Sequence, residues 1–268
     1  MALPVSVYVI TLNEAENLRR LLPQLSGFDE VVIVDGGSTD ATRKVACSFP
    51  NVHFYMRAWS GFSDQKNFAL SLCSHDWVLN LDADEELTSP YLAEMHTLLQ
   101  DGNFDALQTR RKLLRWGKVP RTFMKDDVLI RFFRRQCAYY PNARVHEKLQ
   151  INGRVKASEV HFLHHENLSF NQRIAKSNKY SELKALDKFS QGKQVSLLHL
   201  VLVFPLRFLQ CYLGKGCFMD GVDGMLTSMN VAWYGFMQYA RLWELNRRAQ
   251  AQQAVEASDT TAPLTPVS

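Results

Sequence analysis

The chain has 268 residues, of which 46% are hydrophobic and 11% aromatic, with a net charge of +4 and a pI near 8.8. This composition excludes an intrinsically disordered protein and allows one sizeable core with an appendage. The five cysteines form no CxxC pair and no Cys/His metal spacing, which disfavours a structural zinc site and favours reduced thiols.

The first hundred residues alternate between short apolar runs and segments with helical periodicity. Four short runs predict strands, at residues 5–11, 30–35, 52–56 and 77–81, and the first, second and fourth are apolar enough to predict buried strands. Helices are predicted between them, at residues 14–25, 40–47 and 64–72, and another is expected to begin with Ser89 as its N-cap and Pro90 at its first position. The alternation predicts a doubly wound, mostly parallel α/β sheet.

Polar clusters follow the predicted strands. They are Thr11-Leu12-Asn13-Glu14, Asp35-Gly36-Gly37-Ser38-Thr39-Asp40, Asp64-Gln65-Lys66-Asn67 and Asp82-Ala83-Asp84-Glu85. An isolated Asp-x-Asp is typical of a solvated turn. Ligands of open α/β sheets bind beyond the carboxyl ends of the strands, where we expect these clusters to converge. Carboxylates and substrate phosphates are the ligands that Mg²⁺ and Mn²⁺ prefer, so the convergence favours a metal-diphosphate site.

The pattern changes after about residue 104. Residues 104–160 contain short strand-like runs, such as residues 128–133, between stretches rich in arginine and lysine. Two interpretations stay open for these cations: a solvated positive surface, or a surface that binds an anionic acceptor.

The last hundred residues predict helices and a tail. Ser169 and Gln172 fit a capping box at the start of a helix that extends to about residue 188. Residues 195–245 are rich in leucine and aromatic residues with interspersed cations, which suits either a membrane interface or packing on the first domain or a second protomer. Residues 249–268 predict a disordered tail. The expected divisions are therefore residues 1–165, 166–248 and 249–268, with no signal peptide and no membrane span.

The segments TLNE, VDGGSTD, QKN and LDADE, in this order, resemble the inverting glycosyltransferases of family 2, which have the GT-A fold. The continuation is similar to a narrower group within that family, the bacterial lipopolysaccharide core β-1,4-glucosyltransferases, which transfer glucose from UDP-glucose to inner-core heptose. The matching segments are residues 142–147, 178–180, 215–216 and 220–221. Related enzymes that use other sugars or acceptors, such as an exopolysaccharide or a protein, share the same framework.

The resemblance implies a role for each matching residue. Thr11 and Glu14 would line the nucleotide pocket, and Asp35 would accept a hydrogen bond from uracil. Lys66 would lie near the diphosphate. Asp82 would lie near the ribose and the metal, and Asp84 would bind Mg²⁺ or Mn²⁺ directly.

Inversion needs a base that takes the proton of the acceptor hydroxyl, and Glu147 is the expected base. Glu147 could instead form a surface ion pair with Arg144 or Lys148. Asp126 and Asp127 are the next candidates, followed by Glu166. His164 and His165 are not expected to bind one ion together, because adjacent strand residues point to opposite faces.

These expectations describe an enzyme that uses a UDP-sugar and a lipid-linked, phosphorylated saccharide acceptor. It would be cytoplasmic and peripheral on the inner membrane, with no nucleic acid partner and an oligomeric state left open. One alternative is a non-catalytic nucleotide-binding membrane scaffold, which would not need a carboxylate pair at the diphosphate. A nucleotidyltransferase is disfavoured, because TLNEAEN stands where a phosphate loop rich in glycine and arginine would be expected.

Overall fold

The computed structural model describes residues 2–115, 117–122, 126–141, 149–166 and 168–260, without the side chains of residues 253–260. The chain forms two compact units. The first unit comprises residues 1–119 and 126–166 and contains the sheet; the second comprises residues 120–125 and 167–268 and is helical.

The first unit begins with the predicted alternation of strands and helices. Its strands are β1 (Leu3–Thr11), β2 (Phe28–Asp35), β3 (Val52–Met56), β4 (Trp77–Asp82), β5 (Glu85–Glu86), β6 (Ala106–Leu114), β7 (Asp127–Arg134), β8 (Ala138–Tyr139), β9 (Gln150–Ile151) and β10 (Val155–His165). Its α-helices are α1 (Ala15–Leu21), α2 (Thr42–Ala46), α3 (Phe62–Leu72) and α4 (Ser89–Asp101).

Eight of these strands form one sheet in the order β3-β2-β1-β4-β7-β6-β10-β5. The first four are mutually parallel, β6 is parallel to β10, and β7 and β5 pair antiparallel to their neighbours. The chain order reverses on either side of β1, which opens a crevice at the carboxyl ends of β1 and β4, the usual ligand position in such sheets. The prediction of a doubly wound, mostly parallel sheet is therefore confirmed.

Apolar clusters cover both faces of the sheet because alternate strand residues point to opposite sides. Val7 and Val9 of β1 belong to the cluster under α1 and α4, whereas Tyr8 between them belongs to the cluster on the other face. All three side chains are fully buried. The central strands are consequently fixed in register, which also fixes the side chains that follow them.

Two local details differ from the sequence expectations. The α-helix predicted to reach residue 25 ends at Leu21 and continues as a 3-10 helix (Leu22–Leu25), because Pro23 has no N–H for the α-helical ladder. The N-cap of α4 is Thr88, whose hydroxyl accepts a hydrogen bond from the Tyr91 N–H, and not Ser89 as expected.

The second unit consists of α5 (Phe170–Ser190), α6 (Leu197–Leu209), a π-helical segment (Gln210–Gly214), a 3-10 helix (Cys217–Asp220) and α7 (Gly221–Thr260). The predicted capping box of Ser169 and Gln172 is present. Arg241 of α7 donates to the Asn178 carbonyl of α5, at 2.7 Å. Helix α7 continues past residue 248, where the helical region was expected to end, and disorder of the tail stays a prediction.

Candidate active site

The carboxyl ends of β1, β2 and β4 lie side by side. Thr11 pairs in register with Asp35, and Ile10 pairs with Asp82. Strand β7 runs antiparallel to β4, so its first residue, Asp127, lies at this same edge of the sheet, as does the end of β10. The topology therefore collects the polar residues that follow the strands.

Asp35 is buried and organises the loop that follows β2. One of its carboxylate oxygens accepts hydrogen bonds from the hydroxyls of Thr11 and Ser38, at 2.9 and 2.5 Å. The other accepts from the backbone N–H groups of Gly37 and Ser38, at 2.9 and 2.7 Å. Gly37 has a φ of +102°, a conformation that favours glycine. These four bonds use the acceptor sites of the carboxylate, so a base N–H would have to share or replace one of them.

The first two polar clusters bind each other. The backbone N–H of Asn13 donates to the Ser38 hydroxyl at 2.7 Å, and the Asn13 side-chain oxygen accepts from the Thr39 N–H at 2.8 Å. Burial raises the pKa of Glu14, and the negative charges of Asp84, Asp40 and Asp82 raise it further, against the hydrogen bond from Asn17. Glu14 thus lies within electrostatic range of the acidic turn after β4.

Asp82 lies between two cations. Arg131, which is only 6% exposed, donates to one Asp82 oxygen at 2.5 Å, and the Lys66 ammonium lies 3.7 Å from the other. Burial alone would raise the pKa of Asp82, but the charges of Arg131 and Lys66 outweigh it and hold that pKa well below its usual range. Asp82 is therefore a stable carboxylate, and its partners orient it.

Glu85, for which the sequence suggested no role, is fully buried beneath the turn. Its carboxylate accepts from Arg131 at 2.5 Å and from the backbone N–H of Asp82 at 3.0 Å. Arg131 also donates to Asn80, at 2.8 Å. Burial raises the pKa of Glu85 to about 7, with a contribution from the charge of Asp82 and against that of Arg131. One arginine thus binds Asn80, Asp82 and Glu85 together.

The raised pKa of Glu85 predicts a pH dependence of stability. Between its ordinary pKa of 4.5 and about 7, the folded chain keeps a proton that the unfolded chain has lost. The free energy of unfolding should therefore fall as the pH rises through this interval. We expect Glu85→Gln to remove this part of the slope in urea denaturation at several pH values. Glu159→Gln, at an exposed site paired with Arg110, should leave the slope unchanged; equal slopes in the wild type and Glu85→Gln would contradict the prediction.

Asp84 faces a histidine. Its Oδ1 lies 3.2 Å from the His164 Nδ1, and among the described residues neither atom has a hydrogen-bond partner although both are buried. His165 points elsewhere, to Glu86, so the two histidines diverge as expected for adjacent strand residues. Within the described ranges, no group of three or more His, Cys, Asp or Glu side chains could hold a metal ion. Two ligands nevertheless fit a cation whose other ligands are substrate phosphates and water.

The candidates for the catalytic base differ in their surroundings. Glu147 lies outside the described residues, as do Arg144 and Lys148. Asp127 forms an ion pair with Arg111 at 2.5 Å, and Glu166 forms one with Arg115 at 2.6 Å. The choice of Glu147 stays a prediction, and two of its three rivals are engaged in ion pairs.

Several cations of residues 104–160 are paired inside the first unit. Besides Arg111 and Arg131, Arg110 pairs with Glu159 and Arg134 with Asp105. These arginines hold neighbouring strands together, so the high cation count of the segment does not by itself make a free anion-binding surface.

Arg131 and His164 are the site residues whose positions the sequence did not reveal. Arg131 belongs to the basic region of residues 104–160, which was expected to form a positive surface. It is nevertheless the one charged residue in the apolar run VLIRFF. A charge in a buried strand requires buried partners, which is the signal that could have found it. His164 was considered only as a pair with His165, and its proximity to Asp84 depends on the antiparallel contact between β5 and β10.

A mostly parallel α/β sheet with an Asp-x-Asp turn at its carboxyl edge is the arrangement of the GT-A fold. The structure of this chain is similar to that of residues 1–349 of Staphylococcus aureus TarS in complex with UDP-GlcNAc. The TM-score is 0.51 and the sequence identity is 16%, over 93% of this chain and 92% of that one. At this identity the likeness shows the fold alone.

The chain belongs to glycosyl transferase family 2, whose model matches residues 6–176. It is 32% identical to the lipopolysaccharide core biosynthesis glycosyltransferase LpsC of Rhizobium meliloti, over 90% of this chain and 93% of LpsC. It is 31% identical to the uncharacterized glycosyltransferase RP128 of Rickettsia prowazekii, over 92% of this chain and 89% of that protein. The chain is therefore a glycosyltransferase, as its motifs indicated.

Proposed function

We propose that the chain is an inverting, metal-dependent glycosyltransferase of lipopolysaccharide core assembly. Its donor would be UDP-glucose and its acceptor the inner-core heptose of a lipid-linked, phosphorylated saccharide, joined by a β-1,4 linkage. The observation that carries the proposal is the acidic turn of Asp82 and Asp84, which lies against Lys66 and His164 in a chain of family 2. The similarity to LpsC supports the acceptor class.

The nucleotide would bind at the carboxyl edge of the sheet. Thr11, Glu14 and the loop held by Asp35 would surround the base and ribose, with Asp82 on the ribose side of the diphosphate. Asp84 and His164 would hold Mg²⁺ or Mn²⁺. A bound cation there would stabilise the charge that develops on the leaving UDP. Lys66, held by Asp82 and 5.6 Å from the Tyr140 ring, would add a second positive charge.

Glu147 would complete the chemistry as the general base. It would accept the proton of the heptose hydroxyl as that oxygen bonds to the anomeric carbon of glucose and the bond from this carbon to the UDP phosphate oxygen breaks on the opposite face of the ring. This direct displacement inverts the configuration of the anomeric carbon. Such an acceptor would place the enzyme at the cytoplasmic face of the inner membrane as a peripheral protein.

The proposal predicts a specific pattern of ligand binding. UDP-glucose with Mn²⁺ should raise the melting temperature, because a ligand that binds only the native state stabilises it by mass action. The matched panel is UDP-N-acetylglucosamine, UDP-galactose and GDP-mannose, each with Mn²⁺ or with EDTA. Transfer of labelled glucose to a heptose-bearing core lipid should then occur with Mn²⁺ and stop in EDTA. Full transfer in the chelator would rule out the metal role, and a shift with GDP-mannose alone would rule out the donor.

A further inference from the structure

Helix α6 exposes a continuous apolar surface. Six side chains, here called the α6 face, are 40–75% exposed: Leu197, Leu198, Val201, Leu202, Leu206 and Leu209. Scattered exposed leucines are normal on protein surfaces, but a contiguous set on one helix marks an interaction site. The opposite side of α6 packs on α7, where Val203 is buried and the His199 ring lies 4.2 Å from the Tyr239 ring.

The charge and aromatic content of this region favour a lipid surface as the occupant. Residues 197–214 contain no aspartate or glutamate, whereas Arg207 lies within the segment and Lys215 follows it. Both cations are exposed, but the stem of Arg207 lies against Gly235 of α7, on the side of α6 away from the α6 face, so Lys215 is the cation free to face lipid. A second copy of the chain would bring the same cation to the contact, but anionic lipid headgroups would complement it. Trp233, which is 42% exposed, adds an aromatic ring of the kind enriched at membrane interfaces.

A groove beside the α6 face adds to this evidence. It has a volume of about 350 Å³ and is lined by Leu200, Val201, Phe204, Trp233 and Phe236. The lining side chains are all apolar or aromatic, so the groove suits part of a hydrocarbon chain and offers little to a polar ligand.

The length of α6 and a charge on its neighbour α7 bear on whether α6 lies in the interface or crosses the membrane. Among the described residues, the segment Leu197–Gly214 is apolar and long enough to cross by length and composition. Helix α6 and the π-helical segment that continues it have 18 residues, about 27 Å at the α-helical rise, whereas the hydrocarbon core is about 30 Å thick. Its neighbour α7 contacts it along Gly235 and Tyr239 and carries Arg241 two residues further on, so a spanning arrangement would bring this charge, together with its α5 partner Asn178, to the depth of the hydrocarbon core.

We propose that the α6 face lies in the headgroup boundary of a bilayer that contains anionic lipid, with α6 parallel to the membrane plane. Lys215 contacts the headgroups, and the groove beside Trp233 receives part of an acyl chain. The proposal rests on the proposed function in one respect, since the enzyme would meet its lipid-linked acceptor at this surface.

The test is flotation of the full chain with vesicles. Vesicles of phosphatidylglycerol and phosphatidylethanolamine should bind the wild type, and the double variant Leu202→Glu/Leu206→Glu should bind at least about tenfold less. The matched control is Leu183→Glu/Leu186→Glu, which places the same charges at two equally exposed leucines of α5 in the same unit. The control should bind like the wild type. When the chain is bound to vesicles, brominated acyl chains should quench the fluorescence of Trp233.

Three results would overturn this proposal. They are equal vesicle binding by both double variants, loss of a dimer in Leu202→Glu/Leu206→Glu without any change in vesicle binding, and resistance of the membrane-bound chain to alkaline carbonate, which would indicate a span. Thermal shift with UDP-glucose and Mn²⁺ is measured on the same variants. If UDP-glucose binds while vesicles do not, only the lipid proposal fails; if vesicles bind while no nucleotide sugar does, only the proposed function fails.

Discussion

Asp84→Asn should lower the rate of sugar transfer on the order of 10³-fold while the protein stays folded. The loss is expected because a metal ligand supplies several kcal/mol of charge stabilisation to the leaving diphosphate, and each 1.36 kcal/mol is a factor of ten in rate. Folding should be preserved, because the Asp84 Oδ1 has no hydrogen bond to lose among the described residues. The measurements are kcat for transfer and the Kd of UDP with and without Mn²⁺.

Glu147→Gln provides a comparison within the same assay, because it should lose transfer but keep Mn²⁺-dependent binding of UDP. Glu86→Gln removes a charge from the same turn, at a side chain paired with His165, and should retain most of the activity. If Asp84→Asn binds UDP with unchanged dependence on Mn²⁺, Asp84 is not the metal ligand. If Glu147→Gln retains turnover, Asp126 or Asp127 becomes the base.

Arg131→Met is expected to lower the free energy of unfolding by about 3–5 kcal/mol, the usual result of removing one partner from a buried ion pair. The substitution removes the guanidinium that donates hydrogen bonds to Asp82 and Glu85, so these two carboxylates stay close together without a cation between them. Asn80 also loses a hydrogen-bond donor. The loss should be smaller at acid pH, where Glu85 can take up a proton. Chemical denaturation near pH 6 and pH 8 measures both effects.

Arg134→Met is the matched control, because Arg134 lies on the same strand. Its guanidinium is partly exposed and lies 3.5 Å from Asp105, so its removal should cost about 1 kcal/mol or less. The combination of Arg131→Met with Glu85→Gln should recover part of the lost stability by removing the uncompensated charge. Equal losses for the two arginine variants would show that burial of the Arg131 pair is unimportant.

Much of the first unit could be predicted from the sequence because its central strands are buried on both faces. Such strands appear as continuous apolar runs, and β1, β2 and β4, as well as the partly exposed edge strand β3, lie within two residues of their predicted bounds. The later strands were harder to predict, because residues 106–114 and 155–165 mix charged and apolar side chains. Their pairing in the sheet joins residues far apart in the chain, such as Ala106 with Val155, which a local pattern cannot reveal.

The sequence likewise predicted only part of the candidate site. The polar residues that follow parallel strands were expected to converge, and the structure brings Thr11 to Asp35 and Lys66 to Asp82. The residues beneath them were not predictable, because Arg131 is 46 positions from Glu85 and 49 from Asp82 in the sequence. Tertiary contacts over such separations leave no periodic signal. The roles of Thr11, Glu14, Asp35, Lys66, Asp82, Asp84 and Glu147 stay proposals for mutagenesis to test.

The balance of charge around the acidic turn has a consequence for the order in which ligands bind. Among the described residues, Arg131 is bound by Asp82 and Glu85, so in the proposed function a diphosphate would meet Lys66 together with the further carboxylates Glu14 and Asp84, and a cation would offset this excess of negative charge. Cation and nucleotide should therefore bind cooperatively. By thermodynamic linkage, the factor by which Mn²⁺ tightens UDP must equal the factor by which UDP tightens Mn²⁺. At low cation concentration the enzyme would hold neither, and the availability of the metal would set the occupancy by donor.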